Sequence, residues 1–556
     1  MIIKTFQSIY EFSKNYFDFI LLFIFTLIIS CYYLCSGNNL TGMLEGDGYT
    51  HSLIAENIYK IGKITYEMPY KIFNGQKIND QITYTPIGYT QFYHLSLATF
   101  NKIFNLNLFS PIFSILINLI NTSIMYLILQ KYKSIRIIIP VSVFLITSNR
   151  SLLINFMEPF LLMMFLSFMF FVMKLNNNFL YRSRWIWVLT AYFLGCLSIT
   201  KHLGLFNGFA ALAVLSGYLL IKKQIKTFIL IIMIFMLTVS LPLFAQLKGI
   251  GSLGYPVGTL SIPKSIPFSN LITDNFFNSK YQPISGLESR KLSYHRNIKF
   301  KENLYMISNY FWNFGYLSNS ENLNKFTLVL IVISIVSLLK KNKLFFSLVF
   351  TIFASELFFL NYENLRITQY NIILSSLLLF LLFYPLHLFF SLKKFNFLNK
   401  NYYSILINIL IIFSLCVSFL YIQHKKIYSN TGRWNYNQEV LYSKLGNQIL
   451  SENEFENKIF LASDIQFGHY VKKDYVWFSN LFFENIEEEK IDKYYNLVKE
   501  YFGVEYLVVS NINLKNRGLY DHIPEKTIEY LENNKKILLI RNIEEGNDFI
   551  KVFKLM

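Results

Sequence analysis

Cysteine is almost missing from this chain. Its four residues, Cys31, Cys35, Cys196 and Cys416, all fall inside apolar runs, which argues against a disulfide framework and against a thiolate zinc site. Charge is scarce as well: 15% of the residues are Asp, Glu, Lys or Arg, and the acids are outnumbered 34 to 52, leaving a formal charge of +18. In a soluble chain that excess would suggest nucleic acid. Here much of it sits in short breaks between apolar runs, so topology accounts for it and no nucleic-acid partner is expected. Internal repeats are missing too. The first apolar run follows Lys4 and Lys14 without a small-residue cleavage site, so it reads as a retained helix.

What the chain has in quantity is apolar surface, 53% of its 556 residues, with 56 phenylalanines. That makes it a polytopic membrane protein. Runs at 17–35, 111–129, 137–147, 152–173, 185–199, 203–221, 227–245, 326–339, 344–360, 370–392 and 403–422 read as eleven spans. Lys131, Lys133 and Arg136, then Lys174, Arg182 and Arg184, then Lys222, Lys223 and Lys226, then Lys340, Lys341 and Lys343, then Lys393, Lys394 and Lys400 fall in breaks on one side. The short breaks on the other side hold Arg150, Lys201 and Arg366 singly. Because Lys and Arg are retained in the cytoplasm, the N-terminus is expected there. The segments 36–110 and 246–325 and the C-terminal part then share the outer face of the plasma (inner) membrane. A transporter usually needs access from both sides and often shows repeated halves. Extended parts confined to one face fit chemistry at that face better.

The stretch Glu45-Gly46-Asp47-Gly48-Tyr49-Thr50-His51 places two carboxylates close to that face. The residues 55–64 read as an amphipathic helix ending at Gly62, with Asp47 or Thr50 as its cap. The third run is too short to cross about 30 Å of hydrocarbon, so the turn at Ser148-Asn149-Arg150 is expected to be sunken. Glu158 follows, either paired with Arg150 for structure or facing the same cavity as Asp47. An ionisable group at that depth needs a partner or a wet cavity. Lys201-His202 and Arg366 stand at outer ends of spans. Each is open to two readings, an interfacial anchor or a cation for a lipid-linked phosphate, for which the guanidinium fork of Arg366 is suited. Glu45 and Asp47 alone, with no obvious third ligand, do not support a divalent metal, and no cofactor is expected.

In order and sidedness these residues, with Tyr84-Thr85-Pro86-Ile87-Gly88-Tyr89 and Gly195-Cys196-Leu197-Ser198-Ile199-Thr200-Lys201, resemble the C-type membrane glycosyltransferases of the GT-C fold. That group includes the protein mannosyltransferases and the aminoarabinose transferases. The resemblance spans about the first 425 residues in layout and only short stretches in detail. It implies transfer of a sugar from a polyprenyl-phosphate carrier to a glycan, lipid or protein acceptor at the outer membrane face. By position it implies Asp47 as general base, with Glu45 and Glu158 as further catalytic candidates. Arg366, Lys201 and His202 become candidates for the donor phosphate, and Tyr49, His51, Tyr84 and Tyr89 for lining the substrate. A transporter or flippase of lipid-linked glycan, and a glycan polymerase or ligase using a diphosphate carrier, are the alternatives.

After the last span the composition turns mixed. Helices at 436–450, 486–502 and 525–533 alternate with strands at 458–462, 505–510, 536–541 and 549–553, which suggests a small α/β domain over 426–556 behind the transmembrane module 1–425. It has no glycine-rich phosphate loop and no nucleophile elbow. Asp464 and His469 beyond a strand end read as ordinary loop residues. The residues 304–314 read as an interfacial aromatic helix, an anchor or a groove lining.

Overall fold

The computed structural model describes residues 2–35, 46–62, 72–78, 81–84, 91–106, 110–132, 135–146, 155, 157–175, 184–250, 266–267, 329–338, 343–360, 372–390, 436–462, 466–477, 495–496, 499–500, 503–510, 529, 531–533, 537–546 and 548–556. The helices of the N-terminal part are α1 (Ile2–Cys35), α2 (Gly46–Ile61), α3 (Phe92–Ile103), α4 (Ile112–Leu129), α5 (Ile138–Ile146), α6 (Met157–Leu175), α7 (Arg184–Thr200), α8 (His202–Ile221), α9 (Ile225–Ile250), α10 (Val329–Leu338), α11 (Lys343–Leu360) and α12 (Ile372–Phe390). Ten of the expected spans coincide with α1 and α4 to α12, and the eleventh, 403–422, lies outside the described residues. Among the described residues, Ile112–Leu129, Met157–Leu175, Gly204–Ile221 and Ile225–Ala245 are each long and apolar enough to cross a membrane. The chain is a multi-pass, mostly helical membrane protein. At nine residues α5 is, as expected, far too short to cross, roughly 14 Å of helix.

Small and polar residues hold the bundle together, since lipid gives no hydrophobic drive between helices. Helix α7 is packed on α6, α8 and α9. Two glycines of α8 let it approach: a Cβ on Gly204 would stand 2.0 Å from the Leu197 carbonyl oxygen, and one on Gly208 would stand 1.7 Å from the Ser198 Oγ. Across α4, Asn118 Nδ2 donates to Ser30 Oγ of α1 at 3.2 Å, and Asn121 Nδ2 donates to the Pro159 carbonyl of α6 at 2.9 Å. Leu34 near the end of α1 packs on Ile115 and Leu119 near the start of α4, so these two helices run antiparallel.

The end of the bundle where α1 meets the start of α4 carries a mixed sheet. Its strands are β1 (Ile72–Ile78), β2 (Gln81–Tyr84), β3 (Ile266–Pro267), β4 (Ile459–Ala462), β5 (Tyr475–Trp477), β6 (Val504–Ser510), β7 (Ile537–Glu545) and β8 (Asp548–Leu555), in the order β2-β1-β5-β4-β6-β8-β7 with β3 also paired to β1. The strands β1, β5, β4 and β6 run parallel, and the β7–β8 hairpin adds antiparallel to β6. Helix α13 (Tyr436–Ser451) covers this sheet with Leu441, Leu445 and Ile449, one face at four-residue spacing and fully buried. Burying each such side chain is worth about 1.5–3 kcal/mol.

Two features of this sheet depart from the sequence expectation. The strand β5 was not expected, and the two long segments 36–110 and 246–325 each contribute strands to the C-terminal sheet. The β1 sequence Ile-Phe-Asn-Gly-Gln-Lys-Ile has a turn-forming Asn-Gly at its centre, and the ladder slips there, between Phe73 and Gln76. A local bulge hides a strand from any period-two pattern.

At the opposite, basic end, Arg136 Nε donates to Asp18 Oδ2 at 3.0 Å, and its guanidinium lies 5.5 Å from the Tyr126 ring centroid. Asp18 is 5% exposed. Removing the cation strands a buried carboxylate, so Arg136→Ala should cost about 3–5 kcal/mol while Arg136→Lys costs less. Thermal unfolding in detergent checks this; an unshifted midpoint for Arg136→Ala would refute it.

Candidate active site

At the sheet end, α2 starts at Gly46 and not near residue 55, so Asp47 and Tyr49 lie within its first turn, Thr50 follows it, and none of them precedes the helix as a cap. A carboxylate in the first turn is favoured by the helix dipole, which helps offset the two glycines that made this stretch look like a loop. The helix ends where expected: Gly62 takes φ +72° and its N–H donates to the Ile58 carbonyl at 2.9 Å.

One turn after Asp47, on the same helix face, His51 packs against α3. Its Nδ1 lies 2.9 Å from His94 Nε2, both rings being buried. Tyr93 stands edge-on to His51 at 5.6 Å between centroids and to Phe160 of α6 at 5.3 Å. The next residue of α2, Ser52, accepts at 2.7 Å from Asn155 Nδ2, and the Asn155 N–H donates to Ser114 Oγ of α4 at 3.0 Å. Asn155 itself adopts the left-handed conformation, φ 59°. These contacts join α2, α3, α4 and the start of α6 through buried polar groups.

The strongest of those groups is an ion pair. Lys201 sits between α7 and α8 in an extended conformation, φ −152° and ψ 158°. Its Nζ donates to Glu158 Oε1 in the first turn of α6 at 2.8 Å. Lys201 is 8% exposed and Glu158 3%. The close approach of α8 to α7 at Gly204 and Gly208 keeps this turn tight and aims the ammonium at α6.

Electrostatics tie Tyr93 and His94 to the same region. Burial first and the Glu158 charge second push the Tyr93 phenol well above its usual range. Burial first and His51 second hold the His94 imidazole well below its usual range, so it is neutral. Among the described residues, the Gln91 carboxamide, the Tyr93 hydroxyl and Asn121 Oδ1 are buried without a hydrogen-bond partner, and Gln91 takes φ 67°.

Of the residues singled out from the sequence, Glu158, Lys201 and His51 come together here, with Asp47 and Tyr49 at the start of α2. His202 opens α8 beside Lys201, and Tyr84 closes β2. Glu45, Tyr89, Arg150 and Arg366 lie outside the described residues, as do Asp464, the turn at 148–150 and the aromatic stretch 304–314. Gln91, Tyr93, His94, Asn121 and Asn155 escaped the sequence reading. For Asn121 a signal was present: Ser114, Asn118 and Asn121 form a polar stripe at helical spacing in an otherwise apolar span. Among the described residues, no group of three or more His, Cys, Asp or Glu side chains is placed to hold a metal ion. The His51–His94 pair, engaged in its own hydrogen bond, does not by itself make up a metal centre.

No family model matches the sequence, and no curated protein matches it. Its shape is similar to that of solved structures. The oligosaccharyltransferase of Archaeoglobus fulgidus, in complex with Zn and sulfate, is similar at TM-score 0.54 and 12% identity, covering 89% of this chain and 70% of that one. The same enzyme tethered with an acceptor peptide containing the NVT sequon is similar at TM-score 0.54 and 13% identity, covering 90% and 70%. ArnT from Cupriavidus metallidurans bound to undecaprenyl phosphate is similar at TM-score 0.52 and 10% identity, covering 96% of this chain and 98% of that one. The chain has the GT-C fold. In GT-C terms, the buried polar groups lie at the end of the bundle where the long loops and the C-terminal sheet of this chain gather.

Two outcomes are expected. Lys201→Ala removes the cation bonded to a buried carboxylate and should destabilise the fold by about 3–5 kcal/mol, whereas Lys201→Met combined with Glu158→Gln should recover most of the loss. Chemical unfolding of the single and double variants measures both. His94 is folded in its neutral form with a depressed pKa, so the stability it contributes is full above the unfolded value of about 6.5 and is lost as pH falls through the lower folded value. Melting temperature followed from pH 7 to pH 5 should fall less steeply for His94→Gln than for the unaltered chain; equal slopes would remove His94 as the titrating group.

Proposed function

We propose that this chain is a membrane glycosyltransferase that moves a sugar from a polyprenyl-phosphate carrier to an acceptor at the outer face of the inner membrane, with its N-terminus cytoplasmic and Asp47 as general base. The observation that carries the reading is the meeting of the Asp47 helix with the buried Glu158–Lys201 pair, through His51, His94, Tyr93 and Asn155, within the GT-C fold. The near-complete mutual coverage with ArnT, whose structure holds undecaprenyl phosphate, favours a monophosphate carrier.

In the reaction the acceptor oxygen attacks the anomeric carbon and the bond from that carbon to the phosphate oxygen breaks. The acceptor proton passes to the Asp47 carboxylate, or to Glu45 if that residue holds the position. The polyprenyl phosphate leaves with the bonding electrons. A positioned base contributes about 10²–10⁴-fold. Charge developing on the leaving phosphate is met by cations in a low-dielectric site. Arg366 and His202 are candidates for this contact. Lys201 contributes while bonded to Glu158, a pairing that keeps the ammonium oriented and fixes the depth of the first turn of α6. Tyr49, Tyr84 and Tyr89 are candidates for lining the site.

Asp47→Asn and Glu45→Gln separate the two acids. With radiolabelled lipid-linked sugar extracted from producing cells as donor, the variant lacking the base should lose at least about 100-fold in transfer, while the other retains most of it. Binding of undecaprenyl phosphate, followed by native mass spectrometry, should be unchanged in both. Full transfer by both variants, singly and combined, would rule out a first-loop carboxylate base.

A further inference from the structure

From its sequence, with no phosphate loop or nucleophile elbow, the C-terminal unit reads as covering the membrane site or selecting the acceptor rather than performing catalysis. Its contacts suggest a more direct role. The short helix α14 (Gln466–Tyr470), between β4 and β5, meets the membrane module. It packs against α2, and its last residue, Tyr470, rests on Leu34 of α1 and on Ile115 and Leu119 of α4. Five residues make a weak helix on their own, so something else must hold α14 still.

Two glycines do so. A Cβ on Gly446 of α13 would stand 2.3 Å from the Tyr470 carbonyl oxygen, and a Cβ on Gly468 would stand 2.9 Å from Tyr475 Cε1 on β5. Only hydrogen at both positions allows α13 to close on one side of α14 and β5 on the other. The Val471 N–H donates to the Phe467 carbonyl at 2.8 Å and closes the turn. Buried Phe467 packs on Phe460 and Tyr475, with centroids at 5.1 and 5.3 Å, which anchors it in the sheet core. On its far side β5 pairs in parallel with β1, Ile72 opposite Tyr475 and Phe73 opposite Val476. That strand follows α2 in the chain. The helix bearing Asp47 thus meets the C-terminal unit at α14, and the β1–β5 seam joins the same loop segment 36–110 to the C-terminal sheet.

We infer that α14 is a rigid wedge setting the position of α2, with Tyr470 as a positioning residue, so that the C-terminal unit 426–556 is part of the transfer site. The inference rests on the reading of Asp47 as base, but its structural half stands or falls separately. A displacement near 1 Å at a reacting group costs up to about 100-fold in rate. The step needed to relieve the Gly446 contact is of that order.

The test uses the full-length protein in lipid nanodiscs with four variants: Tyr470→Ala, Tyr470→Phe, Gly446→Ala, and Tyr470→Ala carrying the pair Phe73→Cys and Val476→Cys. Hydrogen exchange of residues 51–61 is read first, because it needs no substrate. It should quicken by about tenfold or more in Tyr470→Ala and Gly446→Ala, with α6 unaffected, and stay at the unaltered rate in Tyr470→Phe. Transfer from extracted lipid-linked sugar should then show a fall in kcat with KM for the carrier unchanged. Oxidising the cysteine pair across the β1–β5 seam should restore both exchange protection and kcat. Unchanged exchange in α2 overturns the wedge. Quickened exchange with kcat untouched, or a loss that the seam disulfide does not restore, overturns positioning. Absence of transfer by the unaltered protein would defeat the glycosyltransferase reading while leaving the exchange result to decide the wedge.

Discussion

The buried ion pair between Glu158 and Lys201 is the constraint around which this end of the molecule is arranged. Neither ion is stable alone in a low-dielectric bundle, so the α6 start and the α7–α8 turn must remain together at 2.8 Å. That requirement reaches outward. Lys201 aims at α6 only because α8 folds back tightly on α7, and it folds back tightly only because Gly204 and Gly208 present no side chain at the contact. From α6 the polar order passes to α4 through the Pro159 carbonyl, and to α3 through Phe160 and Tyr93. The helix carrying Asp47 is then fixed against α3 by a histidine pair and against Asn155 by Ser52.

A bundle assembled this way uses polar contacts where a soluble protein would use apolar burial. Inside lipid the apolar faces gain little from meeting each other, so small residues and hydrogen bonds choose the neighbours. The contrast with the C-terminal unit is plain. There α13 buries Leu441, Leu445 and Ile449 against a sheet whose core is Phe455, Phe460 and Tyr506, and water supplies the drive. The two regimes meet at α14, whose Phe467 belongs to the aqueous core and whose Tyr470 rests on membrane helices.

Similarity of shape at 10–13% identity, with no match by sequence, follows from the kind of information that encodes such a fold. Span lengths, basic breaks and small residues at helix crossings tolerate wide substitution, because many apolar residues satisfy one lipid-facing position. The few positions that do not tolerate it, a glycine at a 2 Å contact or an ammonium opposite a buried carboxylate, are too sparse and too far apart to register as a motif.

The sequence by itself was enough for the membrane class, ten of the spans within a few residues except at the start of α1, the end of α2 at Gly62, the first C-terminal helix and most of the C-terminal strands. Each rests on a local or periodic signal that a short window contains. It also marked Glu158 and Lys201, because ionisable groups beside apolar spans are rare and therefore conspicuous, and His51 through the family resemblance. It left the partner of Glu158 open, since a residue 43 positions away gives no local sign of contact. Only the tertiary structure decided that Lys201 and Glu158 are bonded, that His51 meets His94, and that loop strands β1, β2 and β3 complete the C-terminal sheet. Such pairings depend on which chain segments the packed helices bring to one end, and that is a property of the assembled bundle and not of any stretch within it.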